Sequence, residues 1–389
     1  MNVSAKPPAE PAGKSNSSAS RRKSFGQVVL VLQGGGALGA YQAGVYQGLS
    51  EAGIEPDWVI GTSIGAINAA LIAGNEPVKR LARLQEFWLR VRDSAYLGDN
   101  VWSAWAAAFV NPAFIANLGV VMRGVPGFFE PNRHAAWGLH HRSAVDQASW
   151  YTTEPLKETL GELVDRDYLN AKRVRLTVGA VNARTAEMRY FDSRDMSIEI
   201  AHVMASGALP PAFPAVMIEG EPYWDGGIYS NTPVECVFDD RPRRDSLIFS
   251  VNLWQPQGEA PESIWQVMGR VKDIQYSSRG LSHVARQQQL HRLRHVVREL
   301  ARRLPPEATQ DPMVKELASY GCGTTMHLVR LLAPRLDNED HTKDIDFTAG
   351  GIRQRWRAGY EYVKQVIAQE PWDCEVDPLT GVVIHQAAM

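Results

Sequence analysis

Apolar residues near the start of the chain form short, continuous runs that end at glycines. Residues 27–32 (QVVLVL) are such a run, typical of a strand buried on both faces. A helix-forming segment follows at 37–50. The short run 58–60 is followed in the same way by the apolar segment 64–73, which ends at Gly74, a C-terminal helix signal. Strand, turn and helix thus occur twice in succession, which predicts a mainly parallel sheet with helices on its faces.

The same alternation continues to about residue 255. A helix is expected from the spacing of apolar residues at 197–206, ending at Gly207. The further predicted strands are 173–182, 186–191 and 247–253. The segment 186–191 is expected to pair with 173–182 as a hairpin.

A different, helical pattern begins near residue 256. The segment 263–304 has helical periodicity, which we expect to form two helices broken near Gly280. Its second half is rich in arginine. A final strand is expected at 325–332 and a helix at about 350–368.

These patterns divide the chain into three parts. Residues 1–25 are rich in Pro, Ser and Lys/Arg without an apolar stretch, and we expect a disordered tail rather than a secretion signal. Residues 26–255 form the expected α/β domain, with an apolar insert at about 95–150. Residues 256–389 form a mostly helical C-terminal extension that packs on it.

Composition narrows the classes of function. Of the 389 residues, 44% are hydrophobic and 22% are charged, as in soluble globular proteins, and the net charge of −2 gives no general attraction to nucleic acid. Cys236, Cys322 and Cys374 are far apart and form no C-x-x-C. We therefore expect no disulfide framework, no metal site and a reducing, cytoplasmic location.

The apolar segment 101–122 is long enough to span a bilayer and carries no charge. Asn111 and Pro112 interrupt it midway, and a membrane span there would split the α/β domain. A buried helix pair or an apolar cap over a binding site is the favoured interpretation.

The sequence Gly61-Thr62-Ser63-Ile64-Gly65 lies between the second predicted strand and its helix. It has the form G-x-S-x-G, in which a tight turn exposes a serine as a nucleophile. A tight turn with a capping serine would give the same letters, but the flanking strand and helix favour a nucleophile. The Ile64 amide, at the helix start, would then help to hold an oxyanion.

A glycine-rich loop, Gly34-Gly35-Gly36, opens the first predicted helix and offers backbone amides for an oxyanion. With Gly39 it also satisfies G-x-G-x-x-G, the fingerprint of a dinucleotide site. That fold places an acid at the end of the second strand, whereas Asp57 precedes this strand. No cofactor is therefore expected.

The third glycine-containing turn begins at Asp225. Asp-Gly pairs are common in surface turns, but this carboxylate could also act as the base for Ser63. Histidine is the more usual base, and the order Ser63, Asp225, then His327 or His385 would suit an α/β-hydrolase. Too little chain precedes Ser63 for the strands of that fold, so this triad is the second interpretation.

The three turns, in this order, resemble the patatin-like phospholipase family, whose pattern is a glycine-rich oxyanion loop, G-T-S-x-G-A and D-G-[GA]. They lie here at 34–36, 61–66 and 225–227, and 205–214 is similar to the family's stretch before the aspartate turn. The resemblance covers about residues 26–235. Beyond about 255 the chain is similar to the C-terminal extension of some bacterial members.

The resemblance implies a three-layer α/β/α fold and a Ser–Asp dyad that needs no histidine. Ser63 would attack an ester, Asp225 would accept its proton, and the amides of the glycine loop, with Ile64, would stabilise the oxyanion. The implied activity is cleavage of lipid carboxylic esters, of phospholipase A, lysophospholipase or nonspecific esterase type.

Two positions depart from the family pattern. Leu38 stands where the family often has Arg or Lys, so any help from that cation in organising the loop is absent. Gln33 stands where an Asp or apolar residue is usual, and the sequence offers no interpretation of it. A less active enzyme, or a catalytically silent lipid-binding scaffold with the same fold, therefore remains an alternative.

The expected partner is a lipid or phospholipid. Aromatic residues within 101–129 would suit an acyl pocket or a membrane-touching cap, with plain core packing as the alternative. The arginines of 286–303 would suit anionic head groups, with a solvated helix face as the alternative. No nucleic-acid partner is expected, and the sequence does not indicate the oligomeric state.

Overall fold

A nine-stranded mixed sheet forms the centre of the computed structural model, which describes residues 25–92, 122–137, 142–336, 339 and 341–386. A separate two-stranded sheet joins β3 and β4. The strands are β1 (Gln27–Leu32), β2 (Trp58–Gly61), β3 (Glu130–Pro131), β4 (Tyr151–Thr152), β5 (Arg175–Asn182), β6 (Met188–Asp192), β7 (Val216–Ile218), β8 (Glu221–Asp225), β9 (Ser246–Asn252), β10 (Met326–Leu332) and β11 (Val382–Gln386).

Ten α-helices surround the sheet within the described residues. They are α1 (Ala40–Glu51), α2 (Ile64–Ala73), α3 (Pro77–Arg90), α4 (Glu154–Leu163), α5 (Arg166–Asn170), α6 (Ile200–Ser206), α7 (Glu235–Phe238), α8 (Ile264–Arg302), α9 (Pro312–Ser319) and α10 (Ala349–Gln369).

The strand order is β11-β10-β9-β1-β2-β5-β8-β7, with β6 paired to β5. All neighbours from β11 to β5 are parallel, and β6, β7 and β8 pair antiparallel. The predicted α/β class with a mainly parallel sheet is confirmed, as is the hairpin between β5 and β6. Because β1 and β2 are central and parallel, their carboxyl ends meet at one edge of the sheet.

The side chains of β1 divide between two apolar layers, which makes the architecture three-layered. Leu30 and Leu32 belong to a cluster with residues of α1, α2, α3 and α10. Val29 and Val31 belong to a second cluster, which includes Phe238 of α7 and part of α8. Alternation with a period of two therefore explains why the whole run is apolar.

The region after residue 255 differs from the prediction in two respects. The long helix α8 is continuous through Gly280, so the expected break is wrong. A Cβ at Gly280 would lie 3.4 Å from Thr232, an ordinary van der Waals contact, so the glycine marks neither a turn nor a position closed to a side chain. The region also adds two parallel strands, β10 and β11, to the central sheet. The expected strand at 325–332 is β10, but it is not the final one, because the short run of β11 follows.

Several expectations concern residues outside the described part of the chain. The tail at 1–25 lies outside it except for Phe25, and so does most of the apolar segment 101–122. Among the helices that the structure does describe, none combines the length and the hydrophobicity needed to cross a bilayer.

Candidate active site

Ser63 lies at the sharp turn between β2 and α2. Its backbone has φ 57°, in the left-handed region, which costs energy for a residue with a side chain. The flanking Gly65 is required by space, because a Cβ there would collide with the Leu32 carbonyl. The G-x-S-x-G sequence therefore forms the predicted strand-turn-helix, with Ser63 half-buried at the strand end.

A second serine holds this turn from the neighbouring helix. The Ser63 amide donates to the Ser206 backbone carbonyl at 3.1 Å and to Ser206 Oγ at 3.2 Å. The Ser206 hydroxyl in turn donates to the Gly179 carbonyl on β5 at 2.6 Å. Ser206 is fully buried, and it fixes the position of Ser63 relative to the sheet. Its segment contributed to the family resemblance, but the sequence did not indicate this role.

Asp225 ends β8 and is buried beside Ser63. The Ser63 side chain lies beside its carboxylate and favours the charged form, and the Gly227 amide donates to Asp225 Oδ1 at 2.6 Å. Burial raises the pKa of Asp225 from its ordinary 3.8 to about 7, and these two neighbours lower it less than burial raises it. The structure thus brings together the two residues that the sequence separated by most of the α/β region.

The glycine loop presents its amides to the same space. Within the described part of the chain, the amides of Gly35, Gly36 and Ile64 make no hydrogen bond. The Gly34 amide differs from the expectation, because it donates to the Asn231 carbonyl at 3.2 Å. Three of the four predicted oxyanion donors are therefore unoccupied, and Gly34 serves instead to hold the loop.

The Gly34 carbonyl accepts two further hydrogen bonds. Asn231 Nδ2 donates to it at 3.1 Å and Trp254 Nε1 at 2.7 Å. Asn231 follows the Asp225 turn, so the same side chain links the base and the glycine loop. Neither Asn231 nor Trp254 was singled out by the sequence, since each acts through a partner that is distant along the chain.

Gln33, which had no interpretation at the level of sequence, is a buried junction. Its Oε1 accepts hydrogen bonds from the amides of Leu253 and Trp254. Its Nε2 donates to Thr232 Oγ1 at 2.6 Å and to the Tyr276 carbonyl of α8 at 3.1 Å. An amide side chain is needed here because only it offers an acceptor and two donors at one position.

The C-terminal part of the chain reaches the loop from the other side. The Asp344 carbonyl accepts from the Ala37 amide at 2.8 Å and lies where a Cβ on Gly36 would be. Gly36 has φ +56°, so glycine is favoured both by conformation and by space. The Asp344 carboxylate is held by Lys272 of α8 at 2.8 Å.

Leu38, the second departure from the family pattern, is buried in the core of the α/β region. It lines a small cavity together with two cations of the C-terminal part, Lys343 and Arg355. Acids of the C-terminal part pair with these cations, Asp273 with Lys343 and both Glu339 and Asp346 with Arg355, so neither replaces a free cation at residue 38.

A cavity of about 240 Å³ opens at Ser63 and Asp225. Most of its wall is apolar, and five aromatic rings in mutual contact line it, with centroids 4.9–6.3 Å apart. The rings belong to Phe128, Phe129, Tyr151, Phe213 and Phe347. Phe128 and Phe129 come from the insert and Phe347 from the C-terminal part, so three regions of the chain build one cavity.

No histidine is among the described residues that line this cavity. His327 and His385, the candidates for an α/β-hydrolase triad, lie against each other on β10 and β11 instead. The dinucleotide alternative also fails, because the Asp57 carboxylate accepts the Val28 amide at 2.8 Å. All three residues of the alternative sites thus have structural partners away from Ser63.

Comparison with known proteins agrees with this arrangement of turns. The family model described as patatin-like phospholipase matches residues 30–237, and a second, described as patatin phospholipase, matches 274–379. The first match spans more than half of the chain and contains Ser63, Asp225 and the glycine loop. The chain belongs to the patatin-like phospholipase family.

Individual relatives are more distant. The chain is 43% identical over 84 residues to lysophospholipase nte1 of Aspergillus terreus, which is 20% of this chain and 6% of that protein. Among solved structures, VipD of Legionella pneumophila aligns with 89% of this chain and 67% of its own, at 16% identity and a TM-score of 0.39. The ExoU–SpcU complex of the Pseudomonas aeruginosa type III secretion system aligns with 76% of this chain and 59% of its own. The sequence identity is 17% and the TM-score is 0.27.

Proposed function

We propose that this protein is a serine acyl hydrolase that cleaves carboxylic esters of lipids, with Ser63 as nucleophile and Asp225 as base. The observation that carries the proposal is that these two side chains lie beside each other in the wall of one mainly apolar cavity. In this proposal residues 26–255 carry the reaction, and residues 256–389 complete and support the site.

Acylation begins when Ser63 Oγ attacks the ester carbonyl carbon and its proton passes to Asp225. The carbonyl oxygen becomes an oxyanion, to which the amides of Gly35, Gly36 and Ile64 donate. One such donor is typically worth about 3 kcal/mol in the transition state. The tetrahedral intermediate then collapses, the alcohol leaves with the proton from Asp225, and the acyl group stays on Ser63.

Deacylation repeats these steps with water in place of the serine. Asp225 takes a proton from water, which attacks the acyl carbon, and the same amides hold the second oxyanion. Collapse releases the fatty acid and returns the proton to Ser63 Oγ. A pKa of about 7 suits a carboxylate that must both accept and return a proton near neutral pH.

The cavity supports a lipid rather than a small polar ester as the substrate. Its wall is dominated by aromatic and aliphatic side chains, and no charged side chain other than Asp225 and Asp344 is among its described lining residues. An acyl chain is the part of a lipid that such a wall would desolvate favourably. Family membership and the nte1 relative point to the same substrate class.

A lipid surface is the proposed source of that substrate, and we propose that it contacts the protein at the start of α8. One face of the first turns of α8 is apolar and exposed: Ile264, Val267, Met268, Val271 and Ile274 are 45–79% exposed. The opposite face carries the buried Asp273. Tyr276, two residues after this apolar face, lines the cavity, so a surface that covered the face would lie next to the route of the acyl chain.

The two lipid-contact surfaces expected from the sequence, 101–129 and 286–303, have less support than the apolar face at 264–274. Most of 101–129 lies outside the described residues. The basic segment 286–303 forms the second half of α8, where Arg302 and Arg303 pair with Glu299. Our proposal therefore assigns the lipid contact first to the apolar face at 264–274.

Labelling with a fluorophosphonate tests the dyad. Wild-type protein should form one adduct, located at Ser63 by mass spectrometry, and Ser63→Ala and Asp225→Asn should suppress it. The matched controls Ser319→Ala and Asp377→Asn change exposed residues in the C-terminal part and should label normally. Absence of an adduct in folded protein supplied with lipid would favour the silent scaffold instead.

Sedimentation with phospholipid vesicles tests the contact surface. Val271→Asp should weaken binding, because a charge then faces the apolar boundary, whereas Leu300→Asp, equally exposed on the second half of α8, should not. The reverse result would move the contact to the basic half. Equal vesicle binding by both variants and wild type would remove α8 from the proposal without affecting the dyad.

A further inference from the structure

Two histidines and a cysteine lie close together at strands β10 and β11, away from the sheet edge that carries Ser63. His327 Nδ1 and His385 Nε2 are 3.0 Å apart, and Cys374 Sγ lies within 4.8 Å of one nitrogen of each ring. Both histidines are buried, and Cys374 is exposed. These three residues have no part in the proposed reaction, and they are too far apart along the chain to form a sequence motif.

Strand register explains why the two rings face each other. In the parallel pair of β10 and β11, His327 is opposite Val383, and His385 is two residues further on. Side chains two residues apart point to the same face of a strand, so both imidazoles project from one face as diagonal neighbours. Cys374 reaches the pair from the connection between α10 and β11, where Trp372 anchors the chain against Phe249.

We propose that His327, His385 and Cys374 bind a single Zn²⁺ ion through Nδ1, Nε2 and Sγ, with water in the fourth position. Two imidazoles and a thiolate form a donor set that Zn²⁺ favours over Mg²⁺ or Ca²⁺. Zn–N and Zn–S bonds of about 2.0–2.3 Å place tetrahedral ligand atoms roughly 3–4 Å apart, so the present separations require only a small adjustment.

A metal at this site requires neutral imidazoles and a thiolate. Binding would release one proton, from the Cys374 thiol, while the shared proton between the rings moves to a nitrogen that does not bind the metal.

The site would be structural rather than catalytic. His327 is at the start of β10, whereas Ser63 follows the end of β2, and these two strands run in the same direction through β9 and β1. A metal here would join β10, the edge strand β11 and the connection after α10. It would therefore hold in place the last strand of the sheet.

Competition for Zn²⁺ with a chromophoric chelator tests the proposal on full-length protein first stripped of metal. We expect one equivalent to bind. Cys374→Ser and His385→Gln should each weaken binding by at least about a hundredfold, since even a residue that only supports a ligand typically costs tenfold to a hundredfold. Cys236→Ser changes another free cysteine and should bind Zn²⁺ like wild type.

Co²⁺ titration identifies the ligand atom independently of affinity. A thiolate-to-cobalt charge-transfer band should appear with wild type and be missing with Cys374→Ser, whose exposed position makes misfolding an unsuitable explanation. No bound equivalent, or the same affinity for wild type and Cys374→Ser, would overturn the proposal and leave a histidine pair joined by one hydrogen bond. Fluorophosphonate labelling of Ser63 should be unchanged by Zn²⁺, so this test and that of the dyad fail separately.

Discussion

The carbonyl oxygen of Asp344 accepts a hydrogen bond from the amide of Ala37 at 2.8 Å, which joins the glycine loop to the C-terminal part of the chain. The Asp344 carboxylate accepts hydrogen bonds from Lys272 of α8. The preceding residue, Lys343, forms a buried ion pair with Asp273 of α8 at 2.7 Å. Helix α8 therefore supports the loop that carries the proposed oxyanion donors. The C-terminal part completes the site rather than only packing beside it.

Replacing Lys272 by methionine should lower kcat while leaving KM nearly unchanged. The substitution keeps most of the stem but releases the Asp344 carboxylate and the His341 carbonyl, to which Lys272 also donates at 3.1 Å. Displacement of one oxyanion donor should cost less than its removal, and we expect about a tenfold loss. Steady-state kinetics on a chromogenic acyl ester would measure it.

Lys157→Met is the control for Lys272→Met, because it also removes a lysine from an ion pair, with Glu154, but on the exposed surface of α4. Exposed pairs contribute little, so its kinetics should match those of wild type. Equal kcat values for the two variants would show that Lys272 does not position the loop.

The activity should fall on the acid side of neutrality. Burial raises the pKa of Asp225 to about 7, so the carboxylate becomes protonated as the pH drops through that value and can no longer accept the serine proton. We expect kcat/KM to decrease about tenfold for each pH unit below this pKa. A profile without this limb, in protein whose circular dichroism is unchanged, would contradict Asp225 as the base.

Asp225→Asn should make the protein more stable at alkaline pH while removing its activity. The folded pKa of Asp225 is above its ordinary 3.8, so its contribution to stability is complete below about 3.8 and is lost as pH rises towards 7. Asparagine is never charged and avoids this loss, which is on the order of 4 kcal/mol. Urea unfolding at mildly alkaline pH should show a larger free energy of unfolding for Asp225→Asn than for wild type.

The stability difference between Asp225→Asn and wild type should shrink as the pH is lowered, because the wild-type carboxyl is then neutral in the folded protein. Asp377→Asn, an exposed aspartate, should show no such trend. A constant difference at all pH values would indicate a packing effect rather than a charge effect.

The sequence was sufficient where a residue acts within its own turn. Ser63, Gly35, Gly36 and Ile64 are specified by local spacing, since a strand, a tight turn and a helix start fix their backbone. Asp225 was predicted as the base through the family resemblance, because an Asp-Gly pair alone is common in surface turns. The fold class also follows from local alternation, as the strands β1, β2, β5 and β9 show.

The sequence was insufficient where a residue acts through a distant partner. Asn231, Trp254 and Asp344 meet the glycine loop only after the chain has folded, and nothing in their neighbourhood marks them. The Gly34 amide was assigned wrongly for that reason, since its acceptor lies on Asn231. Gly280 was interpreted as a helix break although the helix is continuous, because a single glycine inside a helical pattern does not by itself end the helix.

Gln33 offers the sharpest test of such distant contacts. Gln33→Met keeps a similar size but leaves the buried amides of Leu253 and Trp254 without their acceptor. Each unsatisfied buried donor costs about 1–3 kcal/mol, so the free energy of unfolding should decrease by roughly 2–5 kcal/mol in urea titration. Trp254 donates to the Gly34 carbonyl, so fluorophosphonate labelling of the folded variant should also slow.

Gln310→Met is the control for Gln33→Met, because its side chain is exposed and contacts Lys315. It should change neither the free energy of unfolding nor the rate of labelling. Normal labelling by a destabilised Gln33→Met would mean that the junction stabilises the fold without positioning the glycine loop.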